Sequence, residues 1–198
     1  MIGYPDGRKF KEKKEIVPAK KKGKVLLNAA NRGMNFETDI NISNAYYLDK
    51  GLMMINKRTT PISIVKVDYS KKSARITDAY FEKQSTTDYN GVYKGKYIDF
   101  EAKSTKSKSS FPLSNIYSHQ IEHLKNVIAN GGIAFFLICF ESQNKVFLLD
   151  AKWIISFFEN GKRRSIPYQT FLEEGIEVKR GYNPRLYYLD AIEEKYFK

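Results

Sequence analysis

The residues of this chain best suited to chemistry are Asp88 and the short run Glu101-Ala102-Lys103. They flank Lys94-Gly95, which reads as a two-residue hairpin turn because glycine supplies a positive φ at no steric cost. With the turn there, Tyr93 pairs with Lys96, Val92 with Tyr97, Asn90 with Asp99, Asp88 with Glu101 and Thr86 with Lys103. Side chains on a strand alternate with period two. Thr86, Asp88, Asn90, Asp99, Glu101 and Lys103 therefore share one face, and Tyr89, Ile98, Phe100 and Ala102 share the other, which must be core. A turn one residue longer or shorter would reverse this relation.

Directly opposed Asp88 and Glu101 would hold their Cβ atoms roughly 4.5–5.5 Å apart. Two bare carboxylates that close repel, and one tends to keep a proton. A divalent cation removes the conflict, and paired hard oxygens suit Mg²⁺, which keeps water and phosphate oxygens as its other ligands. Lys103, two residues past Glu101 on the same face, is placed to orient a metal-bound water or to stabilise charge in a phosphoryl transition state. Phosphodiester hydrolysis needs this set of groups. The plain alternative is a hairpin with a polar outer face. A Glu-x-Lys triplet alone is common in strands, and it is the Asp brought opposite the Glu that distinguishes the pattern.

Other elements must position this hairpin. Apolar periodicity predicts a helix over residues 34–48, with Phe36, Ile40, Ala45 and Tyr47 or Leu48 as its apolar positions. Residues 52–55 read as a short strand, with Met53 and Met54 as core. After Pro61, residues 62–67 and 74–80 read as two strands about a polar turn. Arg58, Lys66, Lys71, Lys72, Arg75 and Lys83 line this pair, which is poor core material and reads as a projection. Residues 104–110 form a polar loop carrying Lys106 and Lys108, and Ser114 is a candidate cap for a helix ending at Ala129 before Asn130-Gly131-Gly132. His119 and His123 are four apart on that helix, a zinc-compatible spacing without a third ligand, so phosphate contact or packing is the preferred reading. Asp99 is expected to bond Asn90 or Lys96, or to stand behind the metal ligands. Residues 133–140 read as a buried strand, 145–149 as its neighbour, and 151–158, 167–174 and 190–196 as helices. The fold class is α/β with a mixed sheet.

Charge narrows the partner. The 198 residues carry 34 Lys+Arg against 22 Asp+Glu, a net of +12. Residues 1–30 hold nine basic against three acidic side chains and residues 50–110 hold thirteen against six, while the remainder is close to neutral. A polyanion, most simply nucleic acid, is the implied partner. Residues 1–30 read as a flexible basic arm that follows phosphates, and residues 31–198 as one domain with the projection at 58–83 inserted. The single Cys139 excludes an intramolecular disulfide framework and a cysteine-based zinc site. No apolar run approaches the roughly 18 residues of a membrane span. The N-terminus lacks an apolar signal core, so a cytoplasmic location without membrane attachment is expected.

Asp88…Glu101-Ala102-Lys103 resembles the PD-(D/E)xK nuclease signature, with Thr87 where that signature has Pro. The wider context is Asn31-Arg32-Gly33-Met34, Ser85-Thr86-Thr87-Asp88-Tyr89-Asn90-Gly91, Tyr97-Ile98-Asp99-Phe100-Glu101-Ala102-Lys103 and His119-Gln120-Ile121-Glu122-His123. Together these resemble the RecU family of Holliday junction resolvases. The resemblance implies a restriction-endonuclease-like core with a projecting β-hairpin stalk. It implies a homodimer nicking two opposed strands of a four-way junction in recombination and DNA repair, and an association with the nucleoid. It further implies a Mg²⁺ site (Mn²⁺ as substitute) formed by Thr86, Asp88, Glu101 and Gln120, with Lys103 as transition-state stabiliser and Glu37 near the metal. Arg32 joins the basic residues above as a DNA contact, and recombinase and branch-migration proteins are the implied protein partners. Two other readings stay open on sequence: a non-catalytic DNA- or RNA-binding protein, and a nuclease of the same core acting on another DNA substrate.

Overall fold

The structure, a computed structural model, describes residues 32–70, 73–81, 86–160 and 162–198, with side chains from Phe36 onward. The basic arm, Lys71, Lys72, Lys83 and the side chain of Arg32 lie outside the described residues.

Helix α1 (Arg32–Asp49) precedes strands β1 (Met54–Lys57), β2 (Ile62–Asp68), β3 (Arg75–Phe81), β4 (Tyr89–Tyr93), β5 (Lys96–Thr105) and β6 (Ser110–Pro112). Then come α2 (Ser118–Ala129), β7 (Ile133–Phe140), β8 (Lys145–Asp150), α3 (Ala151–Asn160), β9 (Ser165–Pro167), α4 (Tyr168–Glu174), β10 (Ile176–Glu177) and α5 (Tyr188–Tyr196). Six strands form one sheet in the order β1-β4-β5-β7-β8-β10. Only β5 and β7 pair in parallel, with α2 as the crossover between them, so the sheet is mixed as expected.

The sheet has an apolar layer on each face. On one, Phe36, Ile40 and Tyr47 of α1 and Tyr188 and Ile192 of α5 pack over Tyr89, Ile98, Phe100, Phe135 and Leu137. On the other, Ile121 and Leu124 of α2, Ile154 of α3 and Phe171 of α4 cover Phe136, Ile138, Phe147 and Leu149. The first layer joins distant parts of the chain. Ser43 accepts the Leu186 N–H at 2.9 Å, the Tyr47 hydroxyl donates to the Leu186 carbonyl at 2.7 Å, and the Tyr188 hydroxyl donates to Asn44.

Among the described residues, β2 and β3 pair only with each other. Every β3 side chain is exposed, as are Ile62, Ile64, Val65 and Lys66 of β2. Each strand spans about 24 Å at the usual rise. The hairpin therefore projects from the sheet carrying Lys66 and Arg75 in solvent, together with exposed Tyr80 and Phe81.

Several local expectations differ from the structure, among them Ala45, which is exposed on α1, and the first short strand, which runs two residues later than 52–55. The helix after the site hairpin begins at Ser118, because buried Leu113 and Ile116 hold residues 113–116 in a 3₁₀ turn and its exit, which leaves Ser114 outside the helix. β5 continues to Thr105, so the polar loop shortens to residues 106–109, with Lys106 and Lys108 exposed. Met54 sits on the solvent face of edge strand β1, while Met53 is core.

Candidate active site

The β4–β5 hairpin has the expected register: Tyr93 opposes Lys96, Val92 opposes Tyr97 and Asn90 opposes Asp99. Lys94 and Gly95 both take positive φ, 45° and 74°. Lysine is strained in that conformation, and its side chain is held by Glu193 at 2.6 Å and by the rings of Tyr93 and Phe197, each 5.3 Å away. On the core face, Tyr89, Phe100 and Phe135 stack in a row across three strands, with centroids 4.9 and 4.8 Å apart. A one-residue slip would break this row and turn Asp99 and Glu101 into the α1 layer, so the stack fixes the face on which the acidic groups appear. Gly91 is required on β4, because a Cβ there would overlap the carbonyl oxygen of Met54 on β1.

The opposite face carries the acidic groups. Asp88 sits one residue ahead of β4, and its N–H donates to Glu101 Oε2 at 3.0 Å. Its own Oδ2 accepts the Ala102 N–H at 3.1 Å. Glu101 is fully buried. Its Oε1 accepts from Lys103 Nζ and from Gln120 Nε2, both at 2.6 Å. Burial pushes the Glu101 carboxyl up to about 7, the Asp88 charge adds to the rise, and Lys103 and Gln120 partly offset it. These two carboxylates, hard oxygen donors on adjacent strands, fit a Mg²⁺ ion that takes one or two protein carboxylates.

Asp88, Glu101, Lys103 and Gln120 are thus brought together. The Gln120 carbonyl Oε1 accepts the Tyr117 N–H at 3.1 Å and closes the first turn of α2, so its amide nitrogen faces the site. Half-buried Thr86 lies two residues before Asp88. Glu37 of α1 pairs with Lys57 at 2.5 Å and, with Asp88 and Glu101, adds negative charge near Tyr89. Among the described residues no group of three or more His, Cys, Asp or Glu side chains is arranged to hold a metal.

Asp99 takes neither of the two hydrogen-bond partners expected for it. Its carboxylate contacts neither Asn90 nor Lys96. It is fully buried and accepts from Arg58 Nη2 at 2.6 Å, from the Tyr97 hydroxyl at 2.9 Å and from the Thr87 hydroxyl, with His123 Nε2 at 2.8 Å. Arg58, read from sequence as a DNA contact, turns its guanidinium inward to this carboxylate. His119 stacks on Tyr117 with ring centroids 5.6 Å apart. The two histidines therefore serve separate contacts. Thr87 was missed on sequence. Its signal was adjacency to Asp88 on the half of the segment assigned to the core.

Residues 31–194 match the family model described as Recombination protein U. This chain belongs to the RecU family. A Holliday junction resolvase RecU of Geobacillus kaustophilus is 46% identical over 99% of this chain and 98% of its own length. The RecU of Bacillus cytotoxicus is 48% identical over the same shares, and that of Lactococcus lactis 47% over 97% of each chain. Among solved structures, the Holliday junction resolvase Hjc of Archaeoglobus fulgidus aligns over 73% of this chain and 95% of its own, at 13% identity and a TM-score of 0.43. Membership in the RecU family rests on the family match and the sequence relatives. Among the described residues no helix is long and apolar enough to cross a membrane.

Proposed function

We propose that this protein is a Mg²⁺-dependent, structure-selective endonuclease that resolves four-way DNA junctions by nicking opposed strands as a homodimer. One observation carries the reading: Asp88 and Glu101 are locked together across the hairpin, with Lys103 Nζ 2.6 Å from Glu101. A phosphate-binding module has no use for opposed carboxylates in a basic chain.

Asp88 and Glu101 would hold the ion, with Thr86 beside them. When bound, Mg²⁺ supplies charge neutralisation at the scissile phosphate and a water of lowered pKa. Glu101 takes part as the carboxylate, so it must give up the proton that burial favours. Lys103 keeps it within reach of ionisation and, once displaced from Oε1, would offer its ammonium to the negative charge developing on the phosphoryl oxygens. Gln120 orients Glu101 through its amide. A direct ligand role for Gln120 requires the amide to turn over and release Tyr117. Glu37 acts from farther out, through Lys57. The exposed Lys66 and Arg75 of the projecting hairpin and Lys106 and Lys108 of the β5–β6 loop are the DNA contacts, and such a substrate places the protein in the cytoplasm with the nucleoid.

A synthetic four-way junction, compared with linear duplex and flap DNA, tests this reading. Wild type should nick the junction in Mg²⁺ and not in EDTA, and Asp88→Ala should bind it without nicking. Equal nicking by Asp88→Ala would overturn the reading. Binding by wild type with no metal-dependent nicking would favour a non-catalytic protein.

A further inference from the structure

Asp99 gathers side chains from four parts of the chain onto one carboxylate. Arg58 is the first residue after β1 on the way into the projecting hairpin, Thr87 immediately precedes Asp88, Tyr97 shares strand β5, and His123 lies one turn beyond Gln120 on α2. All four reach the same fully buried carboxylate. A carboxylate only accepts, so the His123 tautomer carries its proton on Nε2.

Arg58 makes this more than a packing contact. Its guanidinium closes on Asp99 at 2.6 Å while its backbone N–H donates to the Asp88 carbonyl at 2.8 Å. One residue at the root of the hairpin thus grips the metal-site segment from both sides. Among the described residues, Arg58 Nε is buried without a hydrogen-bond partner. A buried donor left unmade is costly, so the guanidinium is placed for Asp99 at the expense of its own remaining hydrogen bond. Thr87, held by Asp99 at its hydroxyl, is joined through the backbone to Thr86 and Asp88 on either side.

We propose that Asp99 is a positioning residue, which ties the root of the projecting hairpin, through Arg58 and Thr87, to the backbone that carries Asp88. This rests on the nuclease reading above. Asp99 touches neither metal nor DNA. It sets where the Asp88 carboxylate stands relative to Glu101, and it passes a tilt of the hairpin to that segment.

The experiment uses full-length protein on a four-way junction, with wild type, Asp88→Ala, Asp99→Asn, Arg58→Gln and Thr87→Val. Binding is measured in EDTA, and nicking rate as a function of Mg²⁺ concentration. Asp99→Asn should keep junction affinity within about twofold while losing at least tenfold in maximal rate and needing severalfold more Mg²⁺ for half-maximal rate. Arg58→Gln and Thr87→Val should shift the Mg²⁺ requirement in the same direction by less. The double variant Asp99→Asn/Arg58→Gln should be no worse than Asp99→Asn alone, because both substitutions break one linkage. Wild-type rate and Mg²⁺ dependence in Asp99→Asn would overturn the proposal. So would a loss of junction binding and melting temperature in proportion to rate, which marks a merely structural role. Should Asp99→Asn fail to fold, unchanged Mg²⁺ dependence in both Arg58→Gln and Thr87→Val overturns it. Failure of wild type to nick, or full nicking by Asp88→Ala, would instead defeat the nuclease reading itself.

Discussion

Asp88 and Glu101 are each anchored by the other's strand: Glu101 Oε2 accepts the Asp88 N–H at 3.0 Å, and Asp88 Oδ2 accepts the N–H following Glu101 at 3.1 Å. Neither carboxylate can swing away without surrendering a backbone donor. The pair is therefore held close before any cation arrives, and a buried, crowded Glu101 is the cost of that arrangement.

That cost has a pH signature. In metal-free protein the Glu101 carboxyl rises from its ordinary 4.5 to about 7, so between those values the folded chain holds a proton that the unfolded chain has released. Its contribution to stability is complete below about pH 4.5 and is lost as pH rises through 7. Urea midpoints in EDTA from pH 5 to 8 should fall more steeply for wild type than for Glu101→Gln. The two should approach each other at pH 5, with the variant the more stable at pH 8 although inactive. A wild-type curve parallel to that of Glu101→Gln would show that Glu101 ionises normally.

Lys103 contributes a charge more than a contact. Lys103→Met keeps the aliphatic stem and removes the ammonium 2.6 Å from Glu101. The nicking rate should fall about 10²–10³-fold, the range typical of removing one transition-state donor, with junction affinity in EDTA within about threefold of wild type. Single-turnover kinetics beside a gel-shift titration check this, and an equal loss in both would assign Lys103 to DNA binding instead.

The aromatic row beneath the site should govern stability and register together. Phe100→Ala opens a cavity between Tyr89 and Phe135 and should cost about 3–5 kcal/mol. Gly91→Ala forces β1 away from β4 and should cost about 1–3 kcal/mol, read as a drop in melting temperature by calorimetry. Nicking by either variant, tested well below its melting temperature, should fall with the displacement of Asp99 and Glu101.

Replacing Ile62–Phe81 by a short Gly-Ser turn removes residues that pair only with each other. The six-stranded sheet should remain, with near-unchanged far-UV circular dichroism of the helices. Preference for the junction over linear duplex should disappear. Retained preference would assign junction recognition to the body of the protein.

The site hairpin was legible because its information is local. A Lys-Gly turn and a period-two pattern placed Asp88 across from Glu101, and the adjoining apolar positions, Tyr89, Phe100 and Ala102, proved to be core. The Asp99 cluster was not legible, because Arg58 lies 41 positions away and His123 lies 24, distances that only the sheet order and the placement of α2 close. The same holds for Lys57, whose strand assignment missed by two residues and whose pairing with Glu37 depends on how α1 crosses β1. The Ser114 cap failed for a different reason: buried Leu113 and Ile116 outweigh a local capping preference.

The bonds between α1 and the segment leading into α5 have a consequence for synthesis. The floor beneath Tyr89 and Phe100 is completed by Leu186, Tyr188 and Ile192, near the end of the chain. A growing polypeptide that has already emerged with its acidic pair and its lysine still lacks the wall that keeps them aligned, and contacts of such long sequence separation form late. A fragment that stops short of Leu186 therefore carries every candidate catalytic residue yet lacks the wall of Leu186, Tyr188 and Ile192 that packs beneath them.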